Sequence, residues 1–295
     1  MAANYGMGTN HTTTATSVNF IPELWSDEVI GSYKSNLVLA NLVTKLSHKG
    51  KKGDSINIPV PSRGAASPKD ASKQVHLIAD TATLITVNIN KHYEYSKLIE
   101  DIAEVQALAS MRKFYTDDAG HALATQVDKD LFAIAQGLNG GAFLDGNGAA
   151  YSGTAAAADI TDTGIRAMLL KLDNADVPMD NRAMVIPPIA ANDLLGQPRF
   201  TEQQFIGSGD AIKTGKIGAV YGVDIFISSN CPSVDTNRIG CLFHKDAMVL
   251  AEQVGVRSQT QYKQEYLGDL FTADTIYGVA ELRDDAGIPF KVKAT

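Results

Sequence analysis

The sequence predicts an α+β chain in which two domains carry an N-terminal arm and a projecting hairpin. Three observations lead there. The hydrophobic period is helical before Gly50, alternating after Gly53, helical again from Glu100, and mixed beyond Asn139. A polar interval of about twenty residues separates two alternating runs, longer than a compact domain ordinarily carries between strands. The chain has 295 residues, 44% of them hydrophobic, which at about 150 residues per domain gives roughly two domains with ample material for a core.

The first nineteen residues hold few large apolar side chains and read as an arm ordered only by contact with a neighbour. They contain no Lys, no Arg and no apolar stretch of the kind a signal peptide needs, so export is not expected. A helix is predicted from Pro22, with Glu23, Asp27 and Glu28 complementing its positive end. Val29, Tyr33, Leu37, Ala40 and Val43 form its buried face, and it should fade near Leu46. The basic run Lys45, His48, Lys49, Lys51 and Lys52 follows, with no interleaved aromatic residues to stack on bases.

Ile56, Ile58 and Val60 then alternate with polar residues and prolines, as Ile85, Val87 and Ile89 do with Thr86, Asn88 and Asn90. Pro59 donates nothing to a ladder, which places its strand at an edge. Residues 62–81 between the two runs include Arg63, Lys69, Asp70 and Lys73 and little to bury. Two strands with such a tip describe an extended hairpin reaching away from the body.

The helical period returns over about 39 residues, 100–138, through Ile102, Val105, Leu108, Met111, Phe114, Leu123, Val127, Leu131, Ile134 and Leu138, without a proline. Such a helix is roughly 58 Å long, against a diameter near 50 Å for a compact chain of this size. Either it breaks at Gly120 or the subunit is elongated and completes its buried surface against copies of itself.

A Gly/Ala-rich connection, 139–158, leads into alternating elements. Thr161 or Asp162 caps a helix carrying Ile165, Met168, Leu169 and Leu172. A strand follows at 183–186, Pro188 opens a short helix through Leu195, and further strands are expected at 223–227, 239–243, 248–251 and across 254–293.

The sequence carries no motif that assigns chemistry. Two cysteines separated by nine residues, Cys231 and Cys241, do not form a metal-ligand spacing and read as packing residues. None of the six histidines pairs at i, i+4. Five residues separate Gly209 from Gly215 where a phosphate loop needs four, and Ile217 stands where a hydroxyl would ligate magnesium. Asp145-Gly146-Asn147-Gly148 opens like a calcium loop but lacks its later ligands, so a tight turn is the reading. There is no G-x-S-x-G elbow, and no catalytic residue, cofactor or metal is assigned. A net charge of −7 argues against a protein that coats nucleic acid, and no window is long and apolar enough to cross a bilayer.

The order of these parts, with the phrases Gly50-Lys51-Lys52-Gly53-Asp54-Ser55-Ile56-Asn57-Ile58-Pro59, Gly222-Val223-Asp224-Ile225-Phe226-Ile227-Ser228-Ser229 and Tyr277-Gly278, resembles the major capsid proteins of tailed bacteriophages. The resemblance covers nearly the whole chain and implies the Hong Kong 97-type fold. It implies an arm and helix at 1–46, an extended hairpin loop at 47–97 lying across a neighbouring subunit, and the spine helix of a peripheral domain at 98–145. An axial domain would fall at 146–235, with C-terminal strands at 236–295 returning to the peripheral domain. The implied function is self-assembly of pentamers and hexamers into an icosahedral virion shell around double-stranded DNA, which is enclosed but not specifically bound. Portal and scaffolding or decoration proteins are the implied partners, with no membrane and with assembly in the host cytoplasm. Arg63, Lys69, Asp70, Lys73, Lys49, Lys51 and Lys52 are the candidate inter-subunit contacts. Encapsulin-like compartments share this fold, and an α/β enzyme using 146–235 is the rival of a different class.

Overall fold

The computed structural model describes residues 38–47, 53–60, 64, 66–72, 74–75, 77, 83–100, 111–197 and 218–294. In chain order the elements are α1 (Leu39–Leu42), β1 (Thr44–Ser47), β2 (Ser55–Val60), β3 (Thr83–Asn88), β4 (Lys91–Glu100), α2 (Met111–Ala135), β5 (Phe143–Asp145), β6 (Ala150–Tyr151), α3 (Asp162–Asn174), β7 (Arg182–Ile186), α4 (Pro188–Leu195), β8 (Ala219–Val220), β9 (Val223–Ile227), β10 (Ser233–Val234), β11 (Asn237–His244), β12 (Met248–Lys263), β13 (Gly268–Glu281) and β14 (Gly287–Lys293).

These strands form two large sheets and one hairpin. One sheet has the order β1-β12-β13-β4, the other β6-β5-β14-β11-β7-β9-β8 with β10 beside β11, and β2 pairs only with β3 among the described residues. The C-terminal strands divide between the large sheets: β12 and β13 lie under α2, while β11 and β14 sit at the centre of the other sheet. A core containing Leu39, Phe132, Leu138, Phe243, Met248 and Tyr277 joins the two, and α3 and α4 bury Ile165, Met168, Leu172, Ala190 and Leu194 on the second sheet.

Two helices differ from expectation. The helix predicted over 22–46 ends at Leu42; Val43 turns extended (φ −98, ψ 163), and Thr44 begins a strand parallel to β12. The β-branched pair Val43 and Thr44 accepts that geometry readily, and long-range pairing with β12 outweighs a weak helical period. The earlier part of that helix, from Pro22, lies outside the described residues. The helix predicted from Glu100 is described from Met111 to Ala135, 25 residues or about 38 Å, and runs through Gly120 without a break. Glu100 instead ends β4, which Tyr93, Tyr95 and Ile99 build by alternation and which pairs with β13 from Lys91 to Glu100. The elements at 161–195 and 223–227 form as predicted, as do the later strands.

The entry to α3 shows why local sequence suffices there. Thr161 is the N-cap, its Oγ1 accepting the Gly164 N–H at 3.2 Å, and its own N–H donates to the Gly146 carbonyl at 3.0 Å. The 145–149 segment is a tight turn, with Asp145 Oδ1 accepting the Asn147 and Ala149 N–H groups at 3.0 and 2.8 Å. The turn and helix touch backbone to backbone: a Cβ on Gly164 would lie 1.9 Å from the Gly146 oxygen, whereas one on Gly120 meets nothing within 4 Å. Gly164→Ala is therefore expected to lower stability by about 2–3 kcal/mol and Gly120→Ala to raise it by about 0.5–1 kcal/mol. Thermal unfolding of the two variants checks both signs.

Candidate assembly surface

The frame that aims the hairpin begins at two buried aspartates on α2. Asp128 Oδ2 accepts the Val38 N–H at 3.0 Å and Oδ1 the Ala40 N–H at 3.1 Å. The N-cap of α1 is Val38, which offers no capping side chain, so α2 supplies the cap that the local sequence lacks. Burial pushes the Asp128 carboxyl up, and the backbone donors offset this only in part. Two positions on, Asp130 faces the sheet instead. The Tyr277 hydroxyl donates to it at 2.6 Å, and Lys91 Nζ lies 3.2 Å away. Burial, then the Asp130 carboxylate, raises the Tyr277 phenol. Together the pair fastens α1 to one side of α2 and the β4/β13 sheet to another.

The hairpin is rooted on that sheet. Val87 and Ile89 are buried against Val249 and Ala251, with Ile56 and Ile58 packed beside them. The Ile89 N–H donates to the Asp54 carbonyl at 2.7 Å, and Gln253 Nε2 to the Gly53 carbonyl at 3.1 Å. Gly278 admits the chain at Asn88, because a Cβ there would lie 2.3 Å from the Asn88 oxygen. Beyond the root the two strands hold an antiparallel register from Ser55↔Asn88 to Val60↔Thr83. Leu84 on the outer face, with Val75 and Leu77 beyond it, is exposed, Leu77 at 88%. One described sheet cannot hide such side chains, so the projecting hairpin is a surface lacking its cover.

Of the sequence candidates, Lys69 and Asp70 are described and exposed near the hairpin tip, with Lys69 Nζ donating to the Asp70 carbonyl at 3.4 Å. Arg63, Lys73, Lys49, Lys51 and Lys52 lie outside the described residues, as does the 207–217 glycine loop. Lys45 of the same basic run donates to Asn41 Oδ1 at 3.0 Å.

Two further exposed apolar groups were not read from the sequence. Leu170, Met179 (73% exposed) and Tyr221 rim a cleft of about 520 Å³ on the second domain. Tyr262, Tyr266 and Leu267 crowd the far end of the β12–β13 hairpin, and Val256 is exposed midway along β12. Alternation marks which side chains share a face, but it does not say which face the core takes. The buried aspartates left a signal: Asp128 follows Val127 and Asp130 precedes Leu131 in the helix's apolar register.

Both arginines at the cleft are held by structural partners. Arg182 pairs with Asp173 at 2.7 Å and donates to the Val177 and Pro178 carbonyls, and Arg166 pairs with Asp162 at 3.1 Å. Across β12 and β13, the Arg257 guanidinium grips Asp274 at 2.7 and 2.8 Å and holds its carboxyl below the usual range. Cys231 and Cys241 are buried free thiols, and burial pushes Cys231 up to about 12, far from a reactive thiolate. Among the described residues no three His, Cys, Asp or Glu side chains group as a metal site, and no helix is long and apolar enough to cross a membrane.

A family model described as phage capsid protein matches residues 25–283. A solved chain of Mycobacterium phage Che8 is 28% identical, covering 92% of this chain and 97% of its own, with a TM-score of 0.76. A chain from the capsid of cyanophage P-SCSP1u is 20% identical over 99% of this chain and 100% of its own, with a TM-score of 0.79. One from the mature capsid of bacteriophage PhiM1 is 14% identical over 99% of both chains, with a TM-score of 0.73. Among curated proteins nothing matches.

Proposed function

The chain belongs to the phage capsid protein family, with the Hong Kong 97-type fold, and on that premise we propose how its parts build a shell. It is a structural major capsid protein, a virion component that associates with copies of itself. Pentamers and hexamers of it close into an icosahedral shell around double-stranded DNA. The observation that carries this reading is the family match over residues 25–283 on a subunit whose hairpin displays apolar surface it cannot bury.

Each segment then has a task. Residues 1–46 are the arm with its helix, and 47–97 form the loop laid across a neighbour, with Arg63, Lys69, Asp70, Lys73, Lys49, Lys51 and Lys52 as its polar contacts. Residues 98–145 supply the spine of the peripheral domain. The domain at 146–235, completed in its sheet by β11 and β14, meets its copies at the capsomer centre. Repeated heterologous contacts that close on themselves generate such rings. A portal and a scaffolding or decoration protein complete the particle, which assembles in the host cytoplasm. The net charge of −7 suits a wall that encloses a polyanion without gripping it.

The test is expression of the full chain and negative-stain electron microscopy of the purified protein. Closed shells tens of nanometres across are expected, and particles from infected cells should co-purify with DNA, not with a cargo enzyme. A protein that stays a small discrete oligomer and turns over a substrate would sink the proposal.

A further inference from the structure

The two edges of the β1-β12-β13-β4 sheet are built differently. Along β4, Lys91, Glu94, Lys97 and Glu100 put a charge at every third position, the usual protection against strand addition. Along the opposite edge, β1 covers β12 only from Val249 to Glu252, while the ladder of β12 with β13 continues to Lys263. From Arg257 to Gln261, β12 is exposed, and among the described residues no strand pairs with its outer side. That stretch, Arg257-Ser258-Gln259-Thr260-Gln261, has no proline, and its one charge is bound to Asp274. Exposed Val256 immediately precedes it, and exposed Tyr262 immediately follows it. An edge this long and this unguarded is a template awaiting a strand.

The strand that matches it is β3. Apart from this part of β12, β3 is the described strand that has an open edge longer than four residues and neither a charge nor a proline; its hairpin partner β2 carries Pro59. Within one subunit the two cannot meet. Val87 pins β3 against Val249 and Ala251, and the open stretch begins farther along β12, with Gln259 about 30 Å from that anchor at 3.3 Å per residue. A second copy has no such restraint. We propose that the outer edge of β12 at 257–261 receives the outer edge of β3 from a second copy of this chain, continuing the four-stranded sheet across the subunit boundary. The inference rests on the capsid reading and names the surface on which the projecting hairpin lands.

Hydrogen exchange read by mass spectrometry tests it, on wild-type shells and on unassembled full-length subunits separated from the same preparation by sedimentation. In shells the outward half of the amides at 257–261 and at 83–88 should exchange at least about tenfold more slowly than in the free subunit. No slowing at 257–261 would overturn the inference. So would protection already present in the free subunit, which would mean that the chain's own segment covers the edge, and so would protection at 257–261 without 83–88, which would assign another occupant. Successive residues of an antiparallel ladder point their N–H groups to opposite sides. Of Gln259→Pro and Thr260→Pro, one therefore removes a bond to β13 and the other only an outward donor. The variant that keeps the wild-type melting temperature should lose assembly, and normal shells from it would contradict the pairing. Wild-type protein forming no shells under any condition would sink the capsid reading itself.

Discussion

Deletion of residues 62–79 is expected to leave a soluble, folded subunit that no longer forms closed shells. The root of the hairpin survives the change, because Ile56, Ile58, Val87 and Ile89 supply its contacts with Val249 and Ala251 and none of them is removed. Val60 and Thr83 face each other across the ladder, so Pro61, Asp80, Thr81 and Ala82 become a four-residue connection of a common hairpin length. Shortening the loop from 22 residues to 4 reduces the closure cost by about 1.5 kcal/mol, so the truncated subunit should unfold no earlier than the wild type. What disappears is the surface displaying Lys69, Asp70, Val75 and Leu77, all exposed in the single subunit. Sedimentation and electron microscopy read the outcome, with circular dichroism confirming the fold. Normal particles from the deletion variant would show that the loop does not lie across a neighbour.

Asp128→Ala is expected to lower the stability of the subunit by about 2–4 kcal/mol, since it strands one buried and one part-buried N–H group. The change leaves Val38 and Ala40 without the acceptor that caps α1. Asp128→Asn should cost less, because one amide oxygen still accepts. The pH dependence has a definite sign. Burial raises the Asp128 carboxyl in the folded subunit above its unfolded value, so the folded state binds that proton more tightly. The contribution of this group therefore improves as the pH falls through the raised value towards the usual aspartate range, and is constant below both. Denaturant unfolding of wild type and Asp128→Asn across that window should show the difference between them shifting in favour of the wild type on acidification. The Asp274 carboxyl, held low by Arg257, acts with the opposite sign at more acidic pH and is common to both proteins, so it cancels in the comparison.

Where a chain segment settles its own geometry, the sequence reads true. The Thr161 cap, the turn at 145–149, the helix opened by Pro188 and the alternating runs of the hairpin all depend on residues within a few positions of one another. The exposed basic and acidic residues of the loop were also legible, since Lys69 and Asp70 lie where little apolar sequence is available to bury them. Errors cluster where a distant partner decides. Thr44 pairs with Val249, where a ladder closed across roughly two hundred residues of chain replaced the predicted helix, and Lys91 pairs with Tyr277 in β4, a strand not separately expected from the local sequence. Asp128 and Asp130 were passed over because a carboxylate on an apolar helix face has no local meaning until the backbone of Val38 and the hydroxyl of Tyr277 arrive.

By itself, then, the sequence determined the class of this protein and the order of hairpin, long helix, mixed helix–strand segment and C-terminal strands, and it offered no assignable catalytic motif. Period and capping are properties of neighbouring residues, and a run such as residues 62–74, with no apolar side chain larger than alanine or proline, offers a fold little to bury. Only the tertiary structure decided where α1 ends, that β4 precedes the long helix, how the C-terminal strands divide between two sheets, and which edge of the first sheet is left unguarded. Each of these depends on hydrogen bonds between strands remote in sequence, and the energy of such a bond is written in the pair of strands and not in either one.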